Sequence, residues 1–199
     1  MKNLTNRVIP FSFIYTLFLF CCTTLHAGNF TWTGNTSTDW GTPSNWSPSG
    51  VPSTNDTITV VTGSNQVHLK TNESVKMITV TSGTVDLKTY SISISATANF
   101  NGGTVNNGSV LINSTATTTF KGTSFGAFVQ AKSNSILLNG SRFDNGLTVI
   151  KKGTSADNSK GGNIYSGKVT IIDSSSGNMV LCDSFPGVYN DEVDIYNAS

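Results

Sequence analysis

Seven acids in the last third of the chain, Asp144, Asp157, Asp173, Asp183, Asp191, Glu192 and Asp194, accompany Arg142, Lys151 and Lys152. These are the types that polysaccharide cleavage uses: a carboxylate as base, oxygens for Ca²⁺, and cations to clamp uronate carboxylates. Such a site needs several of them converging on one face. Here they are scattered among turn positions, as solubility alone would place them, so no catalytic residue is expected. Asp191, Glu192 and Asp194 offer an isolated oxygen cluster, but acids on a terminal strand read as solvated. Gly102-Gly103 and Gly161-Gly162 lack the third Gly and the Asp of the tandem Ca²⁺ repeat. Neither a metal nor a cofactor is expected.

Three further residue types invite a chemical reading. Trp32, Trp40 and Trp46 are all the tryptophans in the chain and fall within one short block. They suit either a sugar-stacking platform or a cap over an apolar end, and the cap is the preferred reading. His68 lies between Val67 and Leu69 and so faces outward; a lone His does not make a metal site. Cys182 follows Met179-Val-Leu and reads as a small buried apolar residue.

The elements that would position these groups are strands in a repeated unit between Ser91 and Ile195. Ser91-Ile-Ser-Ile-Ser precedes Phe100-Asn-Gly, Ser109-Val-Leu-Ile-Asn precedes Phe120-Lys-Gly, and Ser135-Ile-Leu-Leu-Asn precedes Phe143-Asp-Asn-Gly. The second half of the unit recurs after Phe143, Tyr165 and Tyr189. The aromatics Phe100, Phe120, Phe143, Tyr165 and Tyr189 are 20, 23, 22 and 24 residues apart. Apolar and polar residues alternate within short β-branched runs bounded by Gly and Asn. A unit of that length buries its apolar face only by stacking on its neighbours. The expected fold is all-β, a right-handed parallel β-solenoid over residues 57–199. Val85 and Leu87 face inward with Asp86 outward. Ile92, Ile94, Val110, Ile112, Val149, Val169, Ile171, Val193 and Ile195 also point in. The polar stretch Gly153–Gly162 reads as a loop bulging from one coil. The final Ile195–Ser199 begins a coil that the sequence does not finish, which suggests C-terminal truncation.

Residues 1–27 read as an export signal. Lys2 and Arg7 precede an apolar run from Val8 to Phe20, too short to span a membrane, and cleavage is expected after Ala27. Cys21 and Cys22 fall inside this leader, so Cys182 has no partner for an internal disulfide. Removing Lys2 and Arg7 from the 12 basic residues leaves 10 against 11 acids, a net charge of −1. Arg142 is then the only Arg. Such a chain is poorly suited to nucleic acid.

Residues 28–56 differ in composition from the rest of the chain and form the expected Trp/Pro-rich cap. They carry the spacing W-T-G-x-x-S-x-D-W-x-x-x-x-N-W-x-P-x-x-V-P-x-x-x-D-x-I-x-V, from Trp32 to Val60. This block resembles the N-terminal segment of large secreted bacterial β-strand-repeat proteins. These include adhesin-like surface proteins, many from Bacteroidetes, and autotransporter passengers. GGNIYSGKVTI and SFPGVYNDEVDIYN resemble the repeats of such proteins. The resemblance implies a solenoid stalk or adhesin role at the cell surface or outside the cell, and no catalytic residues. Expected partners are extracellular glycans or other surface proteins, with edge-to-edge self-association at an open end. A polysaccharide-binding or polysaccharide-cleaving β-helix is the alternative.

Overall fold

The computed structural model describes residues 27–198. The expected leader, with Cys21 and Cys22, lies outside them except for Ala27. The chain enters through β1 (Asn29–Trp32), a 3-10 turn at Pro43–Asn45, and β2 (Trp46–Ser47). It then winds in coils, most of them built from three short strands. The first coil holds β3 (Thr57–Val60), β4 (Val67–His68) and β5 (Glu73–Val75). The second holds β6 (Met77–Val80), β7 (Thr84–Asp86) and β8 (Ser91–Ile94). The third holds β9 (Ala98–Phe100), β10 (Thr104–Asn106) and β11 (Ser109–Asn113). The fourth holds β12 (Thr117–Lys121), β13 (Ser124–Phe125) and β14 (Phe128–Ser133). The fifth holds β15 (Ser135–Asn139), β16 (Arg142–Phe143) and β17 (Leu147–Lys151). The last two coils hold two strands each: β18 (Ile164–Tyr165) with β19 (Val169–Asp173), then β20 (Val188–Tyr189) with β21 (Val193–Asn197).

Each strand pairs with its counterparts in the coils above and below, giving three sheets of seven strands. The pairing is parallel throughout except for β2, which lies antiparallel to β1 at the outer edge of the first sheet. This is a parallel β-solenoid. Among the described residues, no helix is long and apolar enough to cross a membrane. The first sheet reaches back beyond the expected start at residue 57, because Phe30 already pairs with Ile58.

Alternation within each short strand decides which side chains enter the core. Val110, Val129, Leu147 and Val169 form one column down the third sheet, each the register partner of the next. All four are buried. Ile92, Ile94, Ile112, Val149, Ile171, Val85 and Leu87 also face in, as alternation requires. Strands buried between neighbouring coils favour such β-branched residues. The coil corners need tight bends. Gly103 sits at φ 74°, and a Cβ there would come within 2.7 Å of the Gly83 carbonyl oxygen. Only glycine meets both demands.

The aromatic residues separate into two columns, where their spacing in sequence suggests one. Phe100 and Phe120 stack on the first sheet at 5.7 Å between centroids. Phe125, Phe143, Tyr165 and Tyr189 stack on the second, at 5.1, 5.6 and 4.7 Å in turn. The columns meet edge to face, with Phe120 lying 5.5 Å from both Phe125 and Phe143. The Ser135 run is therefore not the third copy of the Ser91 and Ser109 runs. It lies one strand further round, on the first sheet. A coil of three similar alternating strands looks nearly the same when shifted by one strand, and alternation alone does not fix the phase.

Two expected inward residues are exposed. Val193 and Ile195 pair with Val169 and Ile171, so they hold the inward places of the column. They are 37% and 66% exposed because β21 is the outermost strand of its sheet and, among the described residues, no further coil covers it. Cys182 is likewise exposed, against its expected burial. It lies between Leu181 and Asp183 in a segment outside the strands, where alternation does not select a face.

The stacked phenylalanines should dominate stability. Phe120→Ala, at a fully buried position, is expected to cost about 3–5 kcal/mol. Its outward neighbour Thr119→Ala should stay within about 0.5 kcal/mol. Urea unfolding followed by circular dichroism measures both, and similar losses for the two would contradict this packing.

Candidate functional site

Outward residues form columns as regular as the inward ones. On the third sheet Ser74, Ser93, Leu111, Gln130 and Thr148 are successive register partners. Beside them run Asn113, Lys132 and Ile150. A groove of about 600 Å³ lies over this face, lined by Ser74, Ser93, Ser95, Asn113, Gln130 and Lys132, with Thr54 at one end. Three strand steps from Ser74 to Gln130 span about 14 Å. The lining offers hydroxyls and amides with the apolar Leu111 standing among them, between Ser93 and Gln130 in the same column. Such a surface can hydrogen-bond an extended ligand, each bond giving a modest gain of about 0.5–1.5 kcal/mol.

The tryptophans do not form a platform. Trp32 and Trp40 are each 1% exposed and Trp46 is 3% exposed, so no ring face is open to a sugar. Trp46 packs edge to face against Trp32 at 5.0 Å and against Trp40 at 4.8 Å. Its indole N–H donates to the Trp40 carbonyl oxygen, and that of Trp32 donates to the Asn65 carbonyl oxygen, both at 2.8 Å. The residues that hold the cluster are ones that sequence reasoning missed. The Asn45 side chain is fully buried. Its Oδ1 accepts from the Thr36 and Ser37 backbone N–H, and its Nδ2 donates to the Asp39 carbonyl oxygen. Asp56 accepts from the Gly28 N–H and from both the N–H and hydroxyl of Ser53, fastening the block to the first coil. Burial raises the Asp56 carboxyl, but these bonds outweigh it and hold it below its ordinary value. The fixed S, N and D of the Trp-block spacing are the signal for these roles.

The scattered acids find local partners. Arg142 reaches Asp144 at 2.7 Å, and Lys168 bridges Glu192 and Asp194 at 2.9 and 2.8 Å. Asp183 and Asp191 are exposed on the last coils. His68 is partly exposed beside Asp86, its Nε2 4.0 Å from the carboxylate. Asp86 also receives the Lys88 backbone N–H, the Asn107 amide and, at 2.6 Å, the Lys88 ammonium. Burial raises its carboxyl, but the bonds from Asn107 and Lys88 win and pull it to about 2. Among the described residues, no group of three His, Cys, Asp or Glu is placed to hold a metal ion.

Lys151, Asp157 and Asp173 are the exception, because the fold draws them inside or against its wall. The stretch Gly153–Gly162 does not bulge. It lies along β15 in the place of a strand, and alternate residues, Asp157, Ser159, Gly161 and Asn163, are buried. Its side chains stand in for part of the missing ladder. Leu138 N–H donates to Ser159 Oγ at 3.0 Å, and Ser141 N–H donates to Asn163 Oδ1 at 2.9 Å. The Ser135 hydroxyl donates to Asp157 Oδ1 at 2.7 Å, while Asp157 Oδ2 is buried without a partner. Desolvation raises the Asp157 carboxyl. Lys151, fully buried, donates to Ser175 Oγ and to the Gly177 carbonyl oxygen, each at 2.9 Å. Ser175 in turn donates to Asp173 at 2.5 Å. Lys151, Asp157 and Ser175 are buried within this network, which forms a polar joint between coils.

Both acid and joint can be tested. Asp86 has a depressed folded pKa, so its stabilising contribution is present above the ordinary 3.8 and is lost as pH falls toward about 2. Asp86→Asn should flatten the fall in melting temperature across that acid window. An unchanged slope would contradict the assigned bonds. Lys151→Ala should cost about 2–5 kcal/mol by leaving a cavity and removing the donor to Ser175 Oγ and the Gly177 carbonyl oxygen, whereas the exposed Lys160→Ala should stay within about 0.5 kcal/mol. Equal effects in urea unfolding would contradict the joint. Compared with protein-family models, with curated proteins and with solved structures, the chain matches none.

Proposed function

We propose that this is an exported, non-catalytic, adhesin-like repeat protein of the cell surface or extracellular space, holding glycans along its outer face. The observation that carries the reading is the groove on the third sheet, where Ser74, Ser93 and Gln130 stand in one outward column with Leu111 between the last two, and Asn113 and Lys132 stand in the next. Hydroxyl and amide groups suit sugar hydroxyls. Individually weak contacts along a rod add through multivalency. A stack that grows by about 4.8 Å per coil suits a stalk. The basic and apolar start of the sequence supports export, and the pairing of Asp144 and Asp86 with neighbouring cations supports a structural use of these acids. In this reading the Trp block caps one end. Among the described residues, the other end bears Phe185, Val188, Tyr189, Ile195 and Tyr196, all exposed, beside the outer edges of β20 and β21. Such an edge favours association with a second chain.

The test is a glycan panel assayed for both binding and cleavage. Binding without release of oligosaccharides is expected. Asn113→Ala and Gln130→Ala should each weaken it about two- to tenfold, the worth of one lost hydrogen bond. Release of new chain ends would overturn the non-catalytic assignment in favour of a lyase or hydrolase. Binding indifferent to both substitutions would remove the groove from the reading.

A further inference from the structure

At the C-terminal end of the groove the polar lining changes character. Lys132 is the groove's cation. It faces outward from β14 and pairs with Ile150 on β17. Lys152 lies two residues beyond Ile150, on the same outward side of the sheet, and its backbone N–H donates to the Ser133 carbonyl oxygen at 3.0 Å. That places the two lysines diagonally across adjacent strands, within reach of long side chains. Desolvation together with the neighbouring Lys132 side chain lowers the Lys152 amine from its ordinary value. Among the described residues, neither lysine takes part in an ion pair, as is true of Lys76, Lys121 and Lys160, while Lys70, Lys88 and Lys168 are paired.

Two like charges side by side repel, and an anion between them turns the repulsion into two attractions. The rest of the groove presents the neutral hydrogen-bonding groups of Ser74, Ser93, Ser95, Asn113 and Gln130 around an apolar strip at Leu111, which suits the hydroxyls and the C–H faces of a sugar chain. An anionic group carried on a hydroxyl-rich polymer fits both halves, whereas an acidic peptide uses only the lysine pair well. We infer that the groove on the third sheet binds an acidic polysaccharide, with a sugar carboxylate or sulfate held between Lys132 and Lys152. This rests on the glycan-binding reading above and adds the charge of the ligand and the residues that select it.

The experiment measures binding of the full chain to polygalacturonate, to its methyl-esterified form, to a sulfated galactan and to polyglutamate, at low and high salt. Lys132→Gln with Lys152→Gln is the variant. Both side chains face outward, and circular dichroism verifies that the fold is retained. Wild type should bind one or both acidic glycans, weaken with salt, and prefer the acid to its methyl ester by about tenfold or more. The carboxylate and sulfate arms identify which anion fits. The double variant should lose that preference while keeping its residual affinity for the ester. Equal affinity for acid and ester with no tighter binding of the sulfated galactan, or an acid or sulfate preference untouched by the double variant, overturns the inference and leaves glycan binding standing. Polyglutamate binding as tight as polygalacturonate overturns the sugar assignment. Binding to none of the glycans overturns both.

Discussion

The constraint on which this structure depends is the parallel backbone ladder between coils. An interior strand in any of the three sheets has neighbours above and below. A shift of one residue in any coil would turn its apolar side chains outward and its neighbours' hydrogen bonds out of phase. Register therefore copies the inward and outward assignment from one coil to the next. The columns of Val and Ile on the third sheet, the Phe stack on the first and the Phe–Tyr stack on the second are three consequences of one rule. The aromatic columns add a condition of size. Where Phe100 and Phe120 fill the first sheet's side of the core, Phe125 and Phe143 meet them edge to face, while Ala98, Ala127 and Ala131 yield space nearby.

The rule is kept even where a strand is missing. After β15 the first sheet is continued by chain that does not form a strand, and Ser159, Asn163 and Asn139 side chains supply bonds that backbone would otherwise make. Gly161 sits at the centre of this substitute, bridging Asn139 on one side and Phe185 on the other. A Cβ there would run into the Phe185 carbonyl oxygen. Polar side chains that replace a ladder must enter the interior, and a buried polar interior needs its own partners. That is why Lys151, Ser175 and Asp157 are buried together at this level of the stack. Asp157 Oδ2, buried and unpaired, marks where the substitution is incomplete.

This division explains what can be read from the sequence. The fold class, the inward faces of Ile92 to Ile171 and the outward place of Asp86 follow from a period of two, which survives at the level of single strands. The phase of the coils does not, since Ser135-Ile-Leu-Leu alternates as Ser91-Ile-Ser-Ile does while lying on another sheet. Buried Asp157 and Ser159 read as solvent-facing loop because their alternation is written in polar residues, and hydrophobic pattern is blind to it. Asn45 and Asp56 are hidden for a related reason: their value lies in backbone N–H groups elsewhere in the chain, the distant Gly28 being a partner of Asp56. In the candidate groove, Ser, Asn and Gln at outward places are legible as a polar face. The meeting of Lys132 with Lys152 is not, since it depends on which residue of β17 opposes Lys132.

Inward positions in such a stack are committed twice, to the ladder and to the core, and a change there is felt in several coils. Outward positions carry neither burden. A short polar side chain at Ser74, Ser93 or Thr148 satisfies the fold, but so would many others, and packing does not ask for a regular face. Among the described residues, lying outside an ion pair does not set Lys132 and Lys152 apart, since Lys76, Lys121 and Lys160 do so too; what sets them apart is that register brings them together at one end of that face. Mixed charge would serve solubility better, and other outward lysines illustrate it: Lys168 lies between Glu192 and Asp194, and Lys88 on Asp86. The fold thus separates its two requirements in space. Stability is set by columns that face the core, and the proposed recognition would fall to outward side chains such as Gln130 and Lys132, which the core does not dictate.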